Sequence, residues 1–347
     1  MNLTARQQEI LSIVAAHRQL PISKIKVFLQ KDITQVTLNR DLAKLVKHNF
    51  LNKHGKARAI TYSVSKFYKL FAPVNIDSYF EKDPDKRDAF QSFNYDLYET
   101  LEGLTVFTDE EIFLLKNLKE EYQANVTSIS PTLYKKEMER LTIELSWKSA
   151  QIEGNTYSLL ETEKLFLERE TAKNKSKEDA IMLLNHKDAL NYLLQNKTLA
   201  KQLSLHVIEE VHSLLVKDLN VSKNIRTRAV GVTGTAYKPL DNEFQIKEYV
   251  VKMCELINAR ENCFEKALLA IVLISYIQPF EDGNKRTGRM IGNALLINGN
   301  ACPLSYRSVD SIDYKKAILL FYEQNNLTAF KELFIEQNVF GVKNYFR

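Results

Sequence analysis

The stretch IQPFEDGNKRTGRM, residues 277–290, sets Glu281 and Asp282 beside a Gly-Asn turn, then Lys285, Arg286 and Arg289, with Gly288 between them. This combination suits the handling of phosphate. Arg286 and Arg289 stand three apart, so on a helix they share a face and can address one ligand. A turn at Gly283 followed by a helix start would offer free backbone N–H groups and the positive end of the helix dipole to an anion. Arginines just after a helix start oppose that dipole, which costs stability unless an anion is expected there. Asp282, across the turn, is placed to hold a Mg²⁺ that bridges phosphate oxygens. The first polar position is Gln278, whose amide can orient a hydroxyl but has no usable basicity.

These side chains need a loop between two helices. EKALLAIVLISYI, ending at Ile277, carries no charge after Lys266 and predicts a buried helix at the centre of a bundle, while NKRTGRMIGNALLINGN restarts a helix with Met290, Ile291, Ala294 and Leu295 apolar. Spacings of three and four also predict helices in DEEIFLLKNLKEEYQ, PTLYKKEMERLTIELSWKSAQIEG, SLLETEKLFLE, SKEDAIMLLNHKDALNYLLQN and SLHVIEEVHSLLVKDL, where His212 reads as a packing residue. One stretch breaks the pattern: TRAVGVTGTAYKPL, with Val230, Val232 and two glycines, reads as a hairpin or extended flap.

The 347 residues exceed one ordinary domain and suggest two or three cores. With 45% hydrophobic and 26% charged residues, and only 10 glycines and 7 prolines, the composition is that of a globular, helix-rich protein. Cys254, Cys263 and Cys302 are dispersed and odd in number, which predicts reduced thiols in the cytoplasm. No signal peptide or membrane-spanning run is expected, so no membrane partner is either. Charge is uneven: residues 1–70 hold thirteen Lys or Arg against three Asp or Glu, a net of +10, whereas the remainder has 35 basic and 40 acidic residues. A polyanion-facing module at one end is the natural reading. There Ile10, Leu11, Ile13 and Val14 form a helical stripe with Thr4 as N-cap, PISKIKVFLQ reads as a second helix, and Leu38, Leu42, Leu45 and Val46 face a core from a third. Ile60, Tyr62 and Val64 then alternate at strand period after a Gly55 turn. The polar stretch around NIDSYFEKDPDKRDAF reads as a connection, giving domains at 1–70, 71–98 and 99–340.

Two resemblances follow. QPFEDGNKRTGR resembles the signature of the Fic (filamentation-induced-by-cAMP) family, H-x-F-x-D/E-G-N-G/K-R-x-x-R, matching it at Phe280, Asp282, Gly283, Asn284, Lys285, Arg286 and Arg289. The resemblance runs from roughly residue 100 to 335 and takes in the VGVTG flap, EVHSLL before it, and LSYRSVDSIDYKKAILLFYEQNN after the motif. It implies a mainly α fold, an all-helical bundle with one β-hairpin flap, and transfer of AMP from ATP to a Ser, Thr or Tyr hydroxyl of a protein target or of the chain itself. Asp282 would hold the metal, Gly283, Asn284 and Lys285 would line the α/β-phosphate cradle, Arg286 would neutralise phosphate and Arg289 would hold the β/γ end. Val232, Thr233, Gly234 and Thr235 would align the target segment by strand addition, and Tyr322 and Asn325 would lie near the adenosine; a homodimer is one assembly left open, since the sequence does not decide the oligomeric state. SAQIEGN resembles the family's inhibitory motif S/T-x-x-x-E-G/N, with Ser149, Glu153 and Gly154 on a helix near 141–155; it implies that Glu153 pairs with Arg289 where the γ-phosphate belongs. Separately, TQVTLNRDLAKLVKHNFL resembles the recognition helix of winged helix-turn-helix DNA-binding domains, with Asn49 where that pattern usually has glycine. It covers residues 1–65 and implies DNA contacts by Thr34, Gln35, Thr37 and Arg40, with Lys53, Lys56 and Arg58 along the wing.

The Fic motif's first residue is histidine, the base that takes the proton from the attacking hydroxyl, and here it is Gln278. Two readings stay open: an adenylyltransferase restrained by Glu153 and impaired at its base, or a catalytically silent, nucleotide-sensing DNA-binding regulator.

Overall fold

The computed structural model describes residues 3–29 and 33–347, with the side chain of Arg58 outside the described set. The chain divides into two compact units, residues 1–74 with 99–104, and residues 75–98 with 105–347.

In the smaller unit, helix α1 (Ala5–Ala16) starts from a capping box in which Thr4 and Gln7 satisfy each other's backbone. Strand β1 (Leu20–Pro21), helix α2 (Ile22–Phe28) and helix α3 (Gln35–Lys47) follow. Strands β2 (Leu51–His54) and β3 (Thr61–Val64) form an antiparallel hairpin, and β1 adds to its other side in the order β1-β3-β2. The helices and hairpin are those expected from periodicity; β1 was not, since two residues are too few to set a pattern. Ile10, Leu11, Val14, Ile25, Leu38, Leu42, Leu45 and Phe50 form the core, with Ile13, Val46, Ile60 and Val64 only partly buried against it. Asp41 is buried beneath them and accepts from Arg6 Nε at 2.5 Å and Gln7 Nε2 at 3.2 Å, tying α1 to α3. Asn49, standing where the winged-helix pattern usually has glycine, adopts the left-handed conformation at φ 59°.

Helix α4 (Lys66–Phe71) belongs to the smaller unit; in the larger, helical unit α5 (Ile76–Phe80) and the first residues of α6 (Asp96–Leu101) precede α7 (Asp109–Ser128), α8 (Pro131–Ile152), α9 (Leu159–Glu168), α10 (Lys177–Gln195), α11 (Leu205–Leu215), α12 (Glu243–Asn258), α13 (Cys263–Ile277), α14 (Asn284–Asn298), α15 (Ser311–Gln324) and α16 (Thr328–Asn344). Helix α13 is buried along nearly its whole length, as its lack of charge predicts. It lies against α14 at backbone distance because α14 presents glycines: a Cβ on Gly288 would stand 2.9 Å from Ile271 O, and one on Gly292 2.6 Å from Ile271 Cγ1. That close approach fixes the loop between α13 and α14, which carries Asp282 and Gly283. Among the described residues, no helix is long and apolar enough to cross a membrane.

Two expectations change here. The stretch from Asn75 belongs to the larger unit rather than to a free connection at 71–98, because it is anchored on Glu323 of α15. That buried carboxylate takes Tyr79 OH at 2.7 Å and Arg87 Nη1 at 3.0 Å. The flap, read from its residues as a hairpin or extended flap and implied by the resemblance to be a β-hairpin, forms no ladder of its own; it turns at Thr233 and Gly234 and makes a single parallel bridge between Ser92 and Lys238. Its glycines and short side chains leave nothing to hold two flap strands in register.

Candidate functional site

Gly283 is the N-cap of α14 in the left-handed conformation (φ 78°), no side chain caps the first turn, and the Gly283 N–H donates to Asp282 Oδ1 at 2.6 Å; this helix start lines a pocket of about 420 Å³. Gly283, Asn284 and Lys285 line this pocket together with Gln278, Glu281, Asp282 and Glu153, flap residues Gly231, Val232 and Thr233, and Lys315, Ile318 and Leu319 of α15. Behind the loop, Phe280 is fully buried and stacks on His212 at 3.6 Å between ring centroids. The two His212 nitrogens face Thr287 Oγ1 (3.1 Å) and Ser222 O (3.3 Å), and burial lowers its pKa to about 4, so it is a neutral packing residue.

Gln278 ends α13 in the left-handed region (φ 51°), and its amide is fully engaged. Nε2 donates to Ser275 O at 2.6 Å, while Oε1 accepts from Asn284 Nδ2 at 2.9 Å. Asn284 also closes the loop onto the Phe280 backbone, accepting from its N at 2.8 Å and donating to its O at 2.8 Å. The position that would take a proton is occupied by a neutral group with both ends spoken for.

Opposite, at the end of α8, Glu153 accepts from Arg289 Nη2 at 2.9 Å and from Lys285 Nζ at 3.1 Å. Its partnership with Arg289 is the pairing expected from the SAQIEGN stretch; the Lys285 arm was not foreseen. Arg289 is wholly buried, donates twice more, to Ser149 Oγ and Ser149 O at 2.9 Å each, and lies over the Tyr314 ring at 5.2 Å. Ser149 Oγ in turn lies 2.9 Å from His186 Nε2, whose Nδ1 meets Met182 O at 2.8 Å. Because Nδ1 faces a carbonyl, it carries the proton, and Nε2 accepts from the serine. Burial holds His186 down at about 3, so this tautomer persists at neutral pH. Nothing local in the sequence ties His186 to Ser149; the packing of α10 on α8 does. Burial alone would raise the Glu153 carboxyl, but the charges and hydrogen bonds of Arg289 and Lys285 outweigh it and bring it to about 2.

A pH dependence follows. The folded value lies below the ordinary 4.5, so the stability contributed by Glu153 is complete above that value and is lost only as pH falls toward about 2. The difference in unfolding midpoint between the unmodified chain and Glu153→Gln should therefore stay constant from about pH 5 to 8 and shrink below about 4. A gap that narrows near neutrality would contradict this ion pair.

Arg286 differs from Arg289. It is buried, which lowers its pKa, and donates Nη2 to Asp282 at 3.0 Å, yet among the described residues its Nε and Nη1 have no hydrogen-bond partner, whereas in Arg289 only Nη1 lacks one. Buried guanidinium donors left open beside a helix start fit an anion. Asp282 is two-thirds exposed at the pocket edge, and among the described residues no group of three His, Cys, Asp or Glu side chains could enclose a metal. A Mg²⁺ there fits only as one held by this carboxylate and otherwise by phosphate and water.

Other expected site residues fall differently. Tyr322 and Asn325 do not line the pocket: Tyr322 is buried against Tyr237, its hydroxyl 3.4 Å from Gln278 Nε2, and Asn325 takes Asn94 Nδ2 at 2.8 Å. Helix α15 turns those two inward and presents Lys315, Ile318 and Leu319 instead. Gly154 follows Glu153 with φ 99°, and Thr235 accepts from the Tyr237 backbone at 3.1 Å. In the smaller unit, Thr34 is spent capping α3 and bonding Thr37, while Gln35, Arg40, Lys53 and Lys56 are exposed. The contact expected of Arg58 lies outside the described residues.

Residues 202–296 match the Fic/DOC family. Over 178 residues the chain is 28% identical to "Protein adenylyltransferase Fic" of Nematostella vectensis, covering 48% of this chain and 40% of that one, so it spans less than half of that relative's length. Solved structures with the same fold include a Fic-1 fragment from C. elegans (TM-score 0.58, 19% identity, 68% of this chain and 72% of that). A Fic domain containing signaling protein from Bacteroides thetaiotaomicron (0.56, 20%, 66% and 96%) and a Fic family protein from Desulfovibrio desulfuricans (0.58, 16%, 69% and 74%) share it too. The loop, α13 and α14 as far as Leu296 fall inside the segment that matches the Fic/DOC domain, and they sit in a helical bundle of the fold seen in solved Fic proteins.

Proposed function

We propose that this protein is a Fic-type adenylyltransferase that binds ATP at the start of α14, is restrained by Glu153, and is slowed by Gln278. The observation that carries the reading is the pairing of Glu153 with Arg289 and Lys285 beside an Arg286 whose Nε and Nη1 are open: a carboxylate stands where part of a polyphosphate would, with donors to spare. When Glu153 withdraws, Arg289 and Lys285 are free for the outer phosphates, and Arg286 with the first-turn N–H groups receives the inner ones. Asp282 would hold a Mg²⁺ that arrives with the nucleotide and neutralises phosphate charge. A target hydroxyl oxygen attacks the α-phosphorus, the bond between α- and β-phosphates breaks, pyrophosphate leaves, and the hydroxyl proton must go to a base. The flap would align the target segment, which belongs to another protein or to a second copy of this chain.

The engaged amide of Gln278 favours a second reading, a silent nucleotide sensor acting through a winged helix-turn-helix. The test is binding of ATP with Mg²⁺ and transfer of labelled AMP by the unmodified chain, Glu153→Gly, Gln278→His and the double variant. Neither binding nor label in any form would undo the site assignment.

For the smaller unit we propose duplex DNA as partner, read by Gln35 and Arg40 on the exposed side of α3 with Lys53 and Lys56 at the phosphates. Arg40→Ala is expected to weaken binding in gel shifts by about tenfold, and affinity should fall steeply with salt. Binding indifferent to salt and to Arg40 would instead make this unit a protein-docking module.

A further inference from the structure

The flap has no ladder, yet it is held at both ends by arginines that the reaction scheme does not use. At its base Arg226 is 1% exposed and, among the described residues, has no carboxylate partner. Its Nε donates to Gln278 O at 2.6 Å, its Nη1 to Arg228 O at 2.7 Å and its Nη2 to Leu240 O, while its backbone N reaches Pro279 O at 3.0 Å. One guanidinium thus ties the carbonyl that ends α13 to the two points where the flap leaves and rejoins the bundle. A buried cation with no carboxylate in direct contact among the described residues is costly, and it persists here because helix-end and loop carbonyls, the negative end of the α13 dipole among them, surround it, with the charge of Asp241 adding to them. At the tip Arg87 Nη1 donates to Gly234 O at 2.9 Å and to Glu323 at 3.0 Å, with Nε on Lys82 O at 3.0 Å and the Phe80 ring 4.6 Å away. Lys238 N then donates to Gln91 O at 3.0 Å.

We propose that Arg226 and Arg87 are positioning residues that hold Val230–Thr235 as a preformed docking edge and lock it in register with Gln278, so that a target segment adds to backbone already in place. The inference rests on the adenylyltransferase reading for what docks there, but the clamp itself is independent of it. A fixed edge spares the entropy of ordering the flap on binding. Arg226 further makes the flap and position 278 one body, so the attacking hydroxyl and the group meant to receive its proton cannot drift apart.

The test compares the full chain with Arg226→Lys and Arg87→Lys, each keeping the charge but losing the fork. Hydrogen exchange at Lys238 and at position 226 is expected to quicken by about tenfold or more, while interior amides of α13 and α14 and ATP affinity stay unchanged. In a Glu153→Gly, Gln278→His background, Arg226→Lys should lower labelling at saturating ATP without moving the KM for ATP. Flap amides that do not quicken, or that quicken only together with α13 and α14, would overturn the proposal. Absence of ATP binding by every form would remove the adenylyltransferase reading and leave the exchange comparison to decide the clamp.

Discussion

Placing histidine at position 278, in a chain whose Glu153 is glycine, is expected to raise AMP transfer by about 10²- to 10⁴-fold, equivalent to roughly 3–5 kcal/mol of barrier. On the proposed adenylyltransferase reading, the element missing at the helix start is a group able to take the hydroxyl proton. The exchange is sterically mild. Position 278 is left-handed at φ 51°, a conformation in which histidine is among the enriched residues. One imidazole nitrogen can keep the donation to Ser275 O that the amide makes at 2.6 Å, leaving the other as acceptor toward the pocket. Labelled-AMP incorporation over time in the single and double variants measures this. Equal rates with glutamine and histidine would mean that proton removal does not limit the reaction, and brisk labelling by Glu153→Gly alone would end the silent-sensor reading.

Glu153→Gly by itself should tighten ATP binding and, without nucleotide, lower stability. Arg289 is wholly buried, and removing the acid leaves its charge with the two Ser149 contacts and the face of the Tyr314 ring, a loss toward the lower end of the ~3–5 kcal/mol typical of broken buried pairs. Glu153 is the C-cap of α8 rather than an interior residue, so glycine there adds little helix penalty of its own. Nucleotide should offset the loss, because a ligand at one hundred times its Kd contributes about 2.7 kcal/mol. Unfolding followed with and without ATP separates the two effects. Equal ATP affinity in both forms would mean that Glu153 does not occupy nucleotide space.

Much of this architecture was legible because it depends on local patterns. The charge-free run before Gln278 reads as a central helix because only apolar side chains survive burial on every side, and α13 is that helix. Gly283 and the cations after it mark an uncapped helix start, and four-residue spacing puts Ser149 and Glu153 on one face. What the pattern missed depended on long-range packing. Residues 75–98 look like a polar connection because their acids and arginine appear unpaired in one dimension; Glu323, far along the chain, makes Arg87 and Tyr79 structural. Tyr322 and Asn325 were expected beside the nucleotide, yet rotation of α15 in the bundle turns them inward.

The sequence by itself therefore determined the helical character, the loop and helix start at residues 278–289, and the absence of a base at position 278, since residue type and spacing along one helix or turn are enough for each. Only the tertiary structure decided that Glu153 bridges two cations rather than one, that His186 orients Ser149 behind it, and that Arg226 joins Gln278 to the flap. Those contacts connect segments tens to more than a hundred residues apart, and their geometry comes from how α8, α10, α13 and α14 pack.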